Sequence, residues 1–214
     1  LLRVHGTLDA PIHVVLVLDA ETGAVAAFPK TVIELAEGSS AQVVEHHESA
    51  APEGAFQNVA SHIVLGEHAT CQYRLVQQLE PSVRMVHTVR AHLAASSPLD
   101  AFSWFAGSGY TRSYVDATLT GEQAHITYNA LLLGQGDAHL DVHSRFDLQV
   151  GDCTSRQTVK TILAGASHGV FNGKVIFREG AQKSDTAQAN HNLLLRRNAD
   201  IDTTPELEIF ADAV

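Results

Sequence analysis

Charge is scarce in this 214-residue sequence: charged residues make up 18%, with 14 Lys and Arg against 24 Asp and Glu. The formal net charge of −10 excludes the basic footprint that non-specific nucleic-acid binding requires. Long apolar runs are missing as well. Val14 to Leu18 is closed by Asp19 and Glu21, far short of the roughly 20 residues that span a bilayer, and no signal-peptide pattern precedes it. No membrane partner is expected, and the reading is cytoplasmic. Two cysteines, Cys71 and Cys153, are too few for a secreted disulfide framework. Trp and Met occur once each. There is no initiator Met either: Leu1 opens the sequence, and Arg3-Val4-His5-Gly6 reads as the middle of a strand. The chain therefore reads as an interior piece of a longer protein.

What is present is a normal globular share of hydrophobic residues, 45%, which excludes disordered, collagen-like and coiled-coil chains. Histidine is abundant, at 13, and protonating all of them would carry the net charge to about +3, a sign change in mildly acidic solution. Period-2 alternation recurs and helical periodicity is rare. From 139 to 150, His139, Asp141, His143, Arg145, Asp147 and Gln149 alternate with Leu140, Val142, Ser144, Phe146, Leu148 and Val150, a strand with one wet and one packed face. Ile126, Tyr128, Ala130 and Leu132 repeat the pattern, as do Val83, Met85, His87, Val89 and Ala91. Further strands read at 14–18, 31–35, 41–47, 58–65, 70–78, 111–120, 155–163, 170–177, 187–195 and 206–210. The chain is all-β.

Turns supply the spacing. Glu37-Gly38, Gly66-Glu67, Gly121-Glu122, Gly151-Asp152 and Glu179-Gly180 each pair a glycine with an acid. Their glycines are separated by 28, 55, 30 and 29 residues, and Ser96-Ser97-Pro98 fills the slot that the 55 skips. A repeat of about 28 residues with two or three short strands suits a β-solenoid, in which each coil buries its face on the next. A β-sandwich also gives short strands and regular turns, but the period favours the solenoid. In a solenoid, Cys71 and Cys153 stand three coils apart, about 14 Å at about 4.8 Å per coil. That is beyond disulfide reach, so both are expected to be buried free thiols.

Candidate chemistry is thin. His139-x-Asp141-x-His143 sets three metal-ligand types on one strand face, and His168, 29 residues after His139, falls alongside in the next coil. Such a set suits Zn, Fe or Mn; a solvated polar face is the competing reading. His46-His47 between Glu45 and Glu48 has cupin-like composition, but adjacent strand residues point to opposite faces, so the two histidines cannot share one ion. No Gly-x-Ser-x-Gly elbow exists. Gly173-Lys174 lacks the rest of a phosphate-binding loop, which argues against ATP hydrolysis by this chain. No catalytic residue is assigned, and the chain is read as a non-enzyme.

Four blocks late in the chain carry a resemblance: Gly169-Val170-Phe171-Asn172-Gly173-Lys174-Val175, Ala181-Gln182-Lys183-Ser184-Asp185, Asn192-Leu193-Leu194-Leu195, and Ile201 to Asp212 with Pro205-Glu206-Leu207-Glu208-Ile209 inside it. In this order they resemble the SufB/SufD family of iron–sulfur cluster assembly scaffolds, the SufD branch more than SufB. Before residue 120 the resemblance rests on strand pattern and length. It implies a right-handed parallel β-helix over 1–214, flanked in the family by N-terminal and C-terminal helical regions. It also implies a SufB-like partner, a SufC-like ATPase, and an iron–sulfur cluster held transiently by the full complex. The family's Lys-Cys-Ser-His-Gly motif would fall just beyond Val214, so no cofactor-binding residue carries over.

The strand holding Glu206, Leu207, Glu208, Ile209 and Phe210 is expected to form a sheet edge that pairs with a second copy or with the SufB-like subunit. Asn198 and Asp202 read as turn formers. Two alternatives stand beside the scaffold reading: a β-helix enzyme acting on polysaccharide, marked by a groove of acids and aromatics, and a His-rich metal-binding β-barrel.

Overall fold

The computed structural model describes residues 1–19, 24–50 and 54–212; Glu21 and Val214 lie outside them. Every regular element among the described residues is a β-strand. One sheet is built from β1 (Leu2–Val4), β4 (Lys30–Leu35), β6 (Phe56–Leu65), β8 (Arg84–Leu93), β10 (Tyr110–Leu119), β12 (His139–Leu148), β14 (His168–Phe177) and β16 (Asp200–Ile209), in that order, with β3 (Ala26–Ala27) beside β6. The second runs β2 (Ile12–Asp19), β5 (Ser40–Ala50), β7 (Thr70–Leu79), β9 (Pro98–Gly107), β11 (His125–Gly134), β13 (Thr154–Leu163) and β15 (Asp185–Leu194). The chain crosses from one sheet to the other and back in each coil, and neighbouring strands are parallel. This is a β-solenoid of about seven turns with coils of about 29 residues. Parallel pairing throughout rules out the sandwich, whose strands run antiparallel.

The alternation decides which side chains face in. On β12, Leu140, Val142, Ser144, Phe146 and Leu148 are buried, and on β11 Ile126, Tyr128, Ala130 and Leu132 are. The large core side chains include Tyr73, Phe105, Tyr128, Phe146, Phe171 and Phe177. Each such burial is worth about 1.5–3 kcal/mol, and stacked coils add them along the axis.

The turns repeat one backbone device. Gly38, His68, Ser96, Gln123 and Asp152 all have positive φ, between 53° and 65°, at successive corners. Only one of the five is glycine: Gly66 and Gly121 stand two residues before His68 and Gln123, and the gap at Ser96 falls where Ala94 holds that place. Cys71 on β7 and Cys153 just before β13 are buried free thiols, separated by the rungs β9 and β11 as the coil count requires. Burial pushes the Cys71 thiol up to about 12, so it is inert as a nucleophile at neutral pH.

The structure corrects three details. β9 is a full strand where the sequence signalled only the turn at its start. Residues 206–210 belong mostly to a longer strand that begins at Asp200. Asp202 lies inside that strand, not in a turn; Asn198 does sit in the turn before it.

Candidate functional site

The outward face of β10, β12 and β14 carries the histidines singled out above. Parallel register sets Tyr110 beside His139 and His139 beside His168, and their rings stack with centroids 5.3 and 4.9 Å apart. Burial, helped by the facing His168, holds the His139 imidazole below its usual range. His143 Nε2 lies 2.8 Å from Asp141 Oδ1, with Arg112 Nη1 3.4 Å from Oδ2. His168 Nε2 faces Asp202 at 3.4 Å. The register thus joins His139 to His168, while Asp141 pairs with His143 and Arg112.

Further along the same face, Arg178 grips Asp147 through two hydrogen bonds of 2.8 Å, and Arg145 adds one of 2.9 Å. The hydrogen bond from Arg178 leads the causes that hold the Asp147 carboxyl below its ordinary 3.8, outweighing burial. A carboxyl depressed by folding contributes stability that is fully present above its unfolded pKa and lost as pH falls through the folded value. Asp147→Asn is therefore expected to melt below the wild type at pH 7, with the gap closing as pH falls below the ordinary 3.8 and through the depressed folded value. A gap that stays constant across that range would exclude Asp147 as the cause.

A different cluster lies inside the solenoid. Glu45 and His47 are two apart on β5 and both point inward, while His46 faces out and stacks on His13. Tyr73 arrives from the next rung of the same sheet; Ser61 of β6 and His87 of β8 arrive from the opposite sheet. Glu45, His47, Ser61 and His87 are 0% exposed. His47 Nε2 lies 2.8 Å from Glu45 Oε1. Ser61 Oγ donates to the carboxylate, 3.0 Å from Oε1 and 2.9 Å from Oε2, and the Tyr73 hydroxyl donates to Oε2 at 3.0 Å. His87 Nε2 lies 3.3 Å from Ser61 Oγ and 3.8 Å from Glu45 Oε1. Among the described residues this is the one trio of metal-ligating side chains whose ligand atoms all fall within 4.8 Å of one another.

The electrostatics follow from the packing. Burial depresses His87 from 6.5 to about 3, against the pull of the Glu45 charge, with His47 adding to the depression. Its imidazole is neutral at pH 7. Burial pushes Glu45 upward, but the hydrogen bond from His47, the neighbouring imidazoles and Ser61 together hold it below its ordinary value. Sequence reading placed His46 and His47 on opposite faces correctly but did not connect His47 with His87. The available signal was a histidine in an otherwise apolar inward set, Val83, Met85, Val89 and Ala91.

The last coil forms a third feature. β16 and β15 end their respective sheets. Leu194 continues the inward column of Leu163, Leu207 that of Val175, and Ile209 that of Phe177. Leu163, Val175 and Phe177 are buried, whereas Leu194, Leu207 and Ile209 are 42%, 55% and 48% exposed, with Phe210 exposed beside them. Asn172 and Lys174 tie β14 to the outward Glu206 and Glu208 of the edge strand.

Comparison with known proteins matches residues 17–214 to the family described as SUF system FeS cluster assembly, SufBD core domain. Escherichia coli iron–sulfur cluster assembly protein SufD is 31% identical over 183 residues, covering 85% of this chain and 43% of that protein. A SufBD family protein of Synechocystis is 30% identical over 159 residues, covering 74% and 35%. Bacillus subtilis SufD is 24% identical over 212 residues, covering 97% and 47%. The chain thus spans less than half the length of these relatives. With a parallel solenoid, the four late sequence blocks and a family match over nearly its whole length, the chain belongs to the SufBD core family of the iron–sulfur cluster assembly system.

Proposed function

We propose that this chain is the core of a scaffold subunit in a SufBCD-type assembly complex. It pairs with a SufB-like subunit, supports a SufC-like ATPase through other parts of the full protein, and has no catalysis of its own. The complex works in the cytoplasm, and the iron–sulfur cluster is its cargo. The reading is carried by the family match over residues 17–214, and the pairing is placed on the strand of Glu206, Leu207, Glu208, Ile209 and Phe210. Among the described residues β15 and β16 are the last strands of the two sheets, and Leu194, Leu207, Ile209 and Phe210 are exposed there. A second β-structure can extend the sheets there by strand addition, the backbone supplying affinity and the apolar columns supplying register.

The test is co-expression of the full-length protein with tagged SufB-like and SufC-like partners. The wild type is expected to co-purify. Leu207→Glu with Ile209→Glu is expected to abolish co-purification while the β-type circular dichroism spectrum is kept. A wild type that fails to co-purify overturns the assignment of partners. A double variant that still co-purifies overturns the last coil as the interface, and a wild type that forms only a complex with its own copies replaces the SufB-like partner by a second copy.

A further inference from the structure

We propose that Glu45, His47 and His87 form a binding site for a first-row divalent cation, Fe²⁺ or Zn²⁺, sealed inside the solenoid. The inference stands apart from the assembly reading, because it rests on the interior cluster and not on the last coil or any partner.

The donor set is two imidazoles and one carboxylate, a combination that suits zinc and non-haem ferrous iron. A tetrahedral ion with bonds of about 2.0–2.1 Å needs ligand atoms about 3.3 Å apart. The distances around Glu45 Oε1 bracket that value: 2.8 Å to His47 Nε2, 3.0 Å to Ser61 Oγ and 3.8 Å to His87 Nε2, with Ser61 Oγ 3.3 Å from His87 Nε2. Ser61 Oγ lies within hydrogen-bond distance of Glu45 and His87, beside the three ligands. The second carboxylate oxygen is anchored by the Tyr73 hydroxyl and Ser61, the outer support that fixes a ligating carboxylate. Buried carboxylates are paired or bind metal. The ligands come from three strands on both sheets, so the cation would clamp the sheets together across the core.

The site is enclosed, so loading accompanies folding. Full-length protein is denatured with chelator, refolded with one equivalent of Zn²⁺, Fe²⁺ (anaerobically) or the spectroscopic stand-in Co²⁺, and stripped of loose metal on a chelating column. The wild type is expected to retain about one equivalent more than His87→Leu, and Co²⁺ to give the intense visible bands of a four-coordinate site that His87→Leu lacks. Tyr73→Phe keeps all the ligands and is expected to weaken retention about tenfold. The paired surface variant His139→Ala with His168→Ala is expected to change nothing. Should His87→Leu not refold, His87→Gln with matching circular dichroism takes its place. Equal metal content in wild type and His87 variants overturns the site, as does loss on changing His139 and His168 instead.

Discussion

Gly107→Ala is expected to lower the unfolding free energy by about 3 kcal/mol or more, against about 1 kcal/mol for Gly38→Ala. Both glycines have positive φ, +83° and +65°, so both substitutions carry the left-handed strain of an L-residue. They differ in what the new methyl meets. At Gly38 nothing lies within 4 Å of an added Cβ; at Gly107 the Leu79 carbonyl oxygen lies 2.1 Å away. That carbonyl accepts the Ser108 amide at 2.9 Å, tying the end of β9 to the end of β7. Relief therefore requires opening a rung, and each rung is stabilised by the coils on both sides of it. Urea unfolding of the two variants measures the difference. Equal losses would mean that the coil end at Gly107 relaxes freely and that backbone strain alone sets the cost.

The coil period was legible because parallel stacking imposes it on the turns. Tyr110, His139 and His168 recur at 29-residue steps and fall in direct register. The strand β9 was not legible. Its inward residues are Leu99, Ala101, Ser103 and Phe105, and its outward ones include Phe102, Trp104 and Ala106. With apolar side chains on both faces the period-2 contrast disappears. β1 and β3, at three and two residues, are too short to show a period.

The interior cluster divides the same way. Spacing of two puts Glu45 and His47 on one face, so half of the set they form with Ser61 and His87 was readable from one strand. The other half depends on which residue of the opposite sheet lies across the core. Ser61 and His87 are 16 and 42 residues beyond Glu45 in the sequence, distances set by where the chain crosses between sheets, and no in-sheet period predicts them. His87 carried a local clue, a polar ring in an apolar column. The clue told that the ring was buried without telling beside what.

Breaking that cluster in part should cost far more than removing it whole. Glu45→Ala leaves His47, Ser61 and Tyr73 with buried donors and no acceptor, and is expected to cost about 3–5 kcal/mol in metal-free protein. Glu45→Gln keeps one acceptor oxygen and is expected to cost about 1–3 kcal/mol. Replacing the set with apolar residues, Glu45→Leu, His47→Leu, Ser61→Ala, Tyr73→Phe and His87→Leu together, removes the orphaned donors along with the charge. It is expected to return stability to within about 1 kcal/mol of the wild type, since a buried ionic group gains little over well-packed hydrophobes. Urea unfolding in chelator measures all three. If Glu45→Ala costs less than about 1 kcal/mol, the hydrogen bonds to the carboxylate do not form in solution. If the apolar variant is as unstable as Glu45→Ala, the cluster is a structural necessity of this coil. Recovery in the apolar variant leaves the opposite conclusion: the stability of the solenoid does not explain why a carboxylate and two imidazoles sit where the flanking rungs place Val14 and Leu75 beside Glu45, Leu16 and Gln77 beside His47, and Val59 and Ser113 beside His87, and the explanation has to come from what those atoms bind.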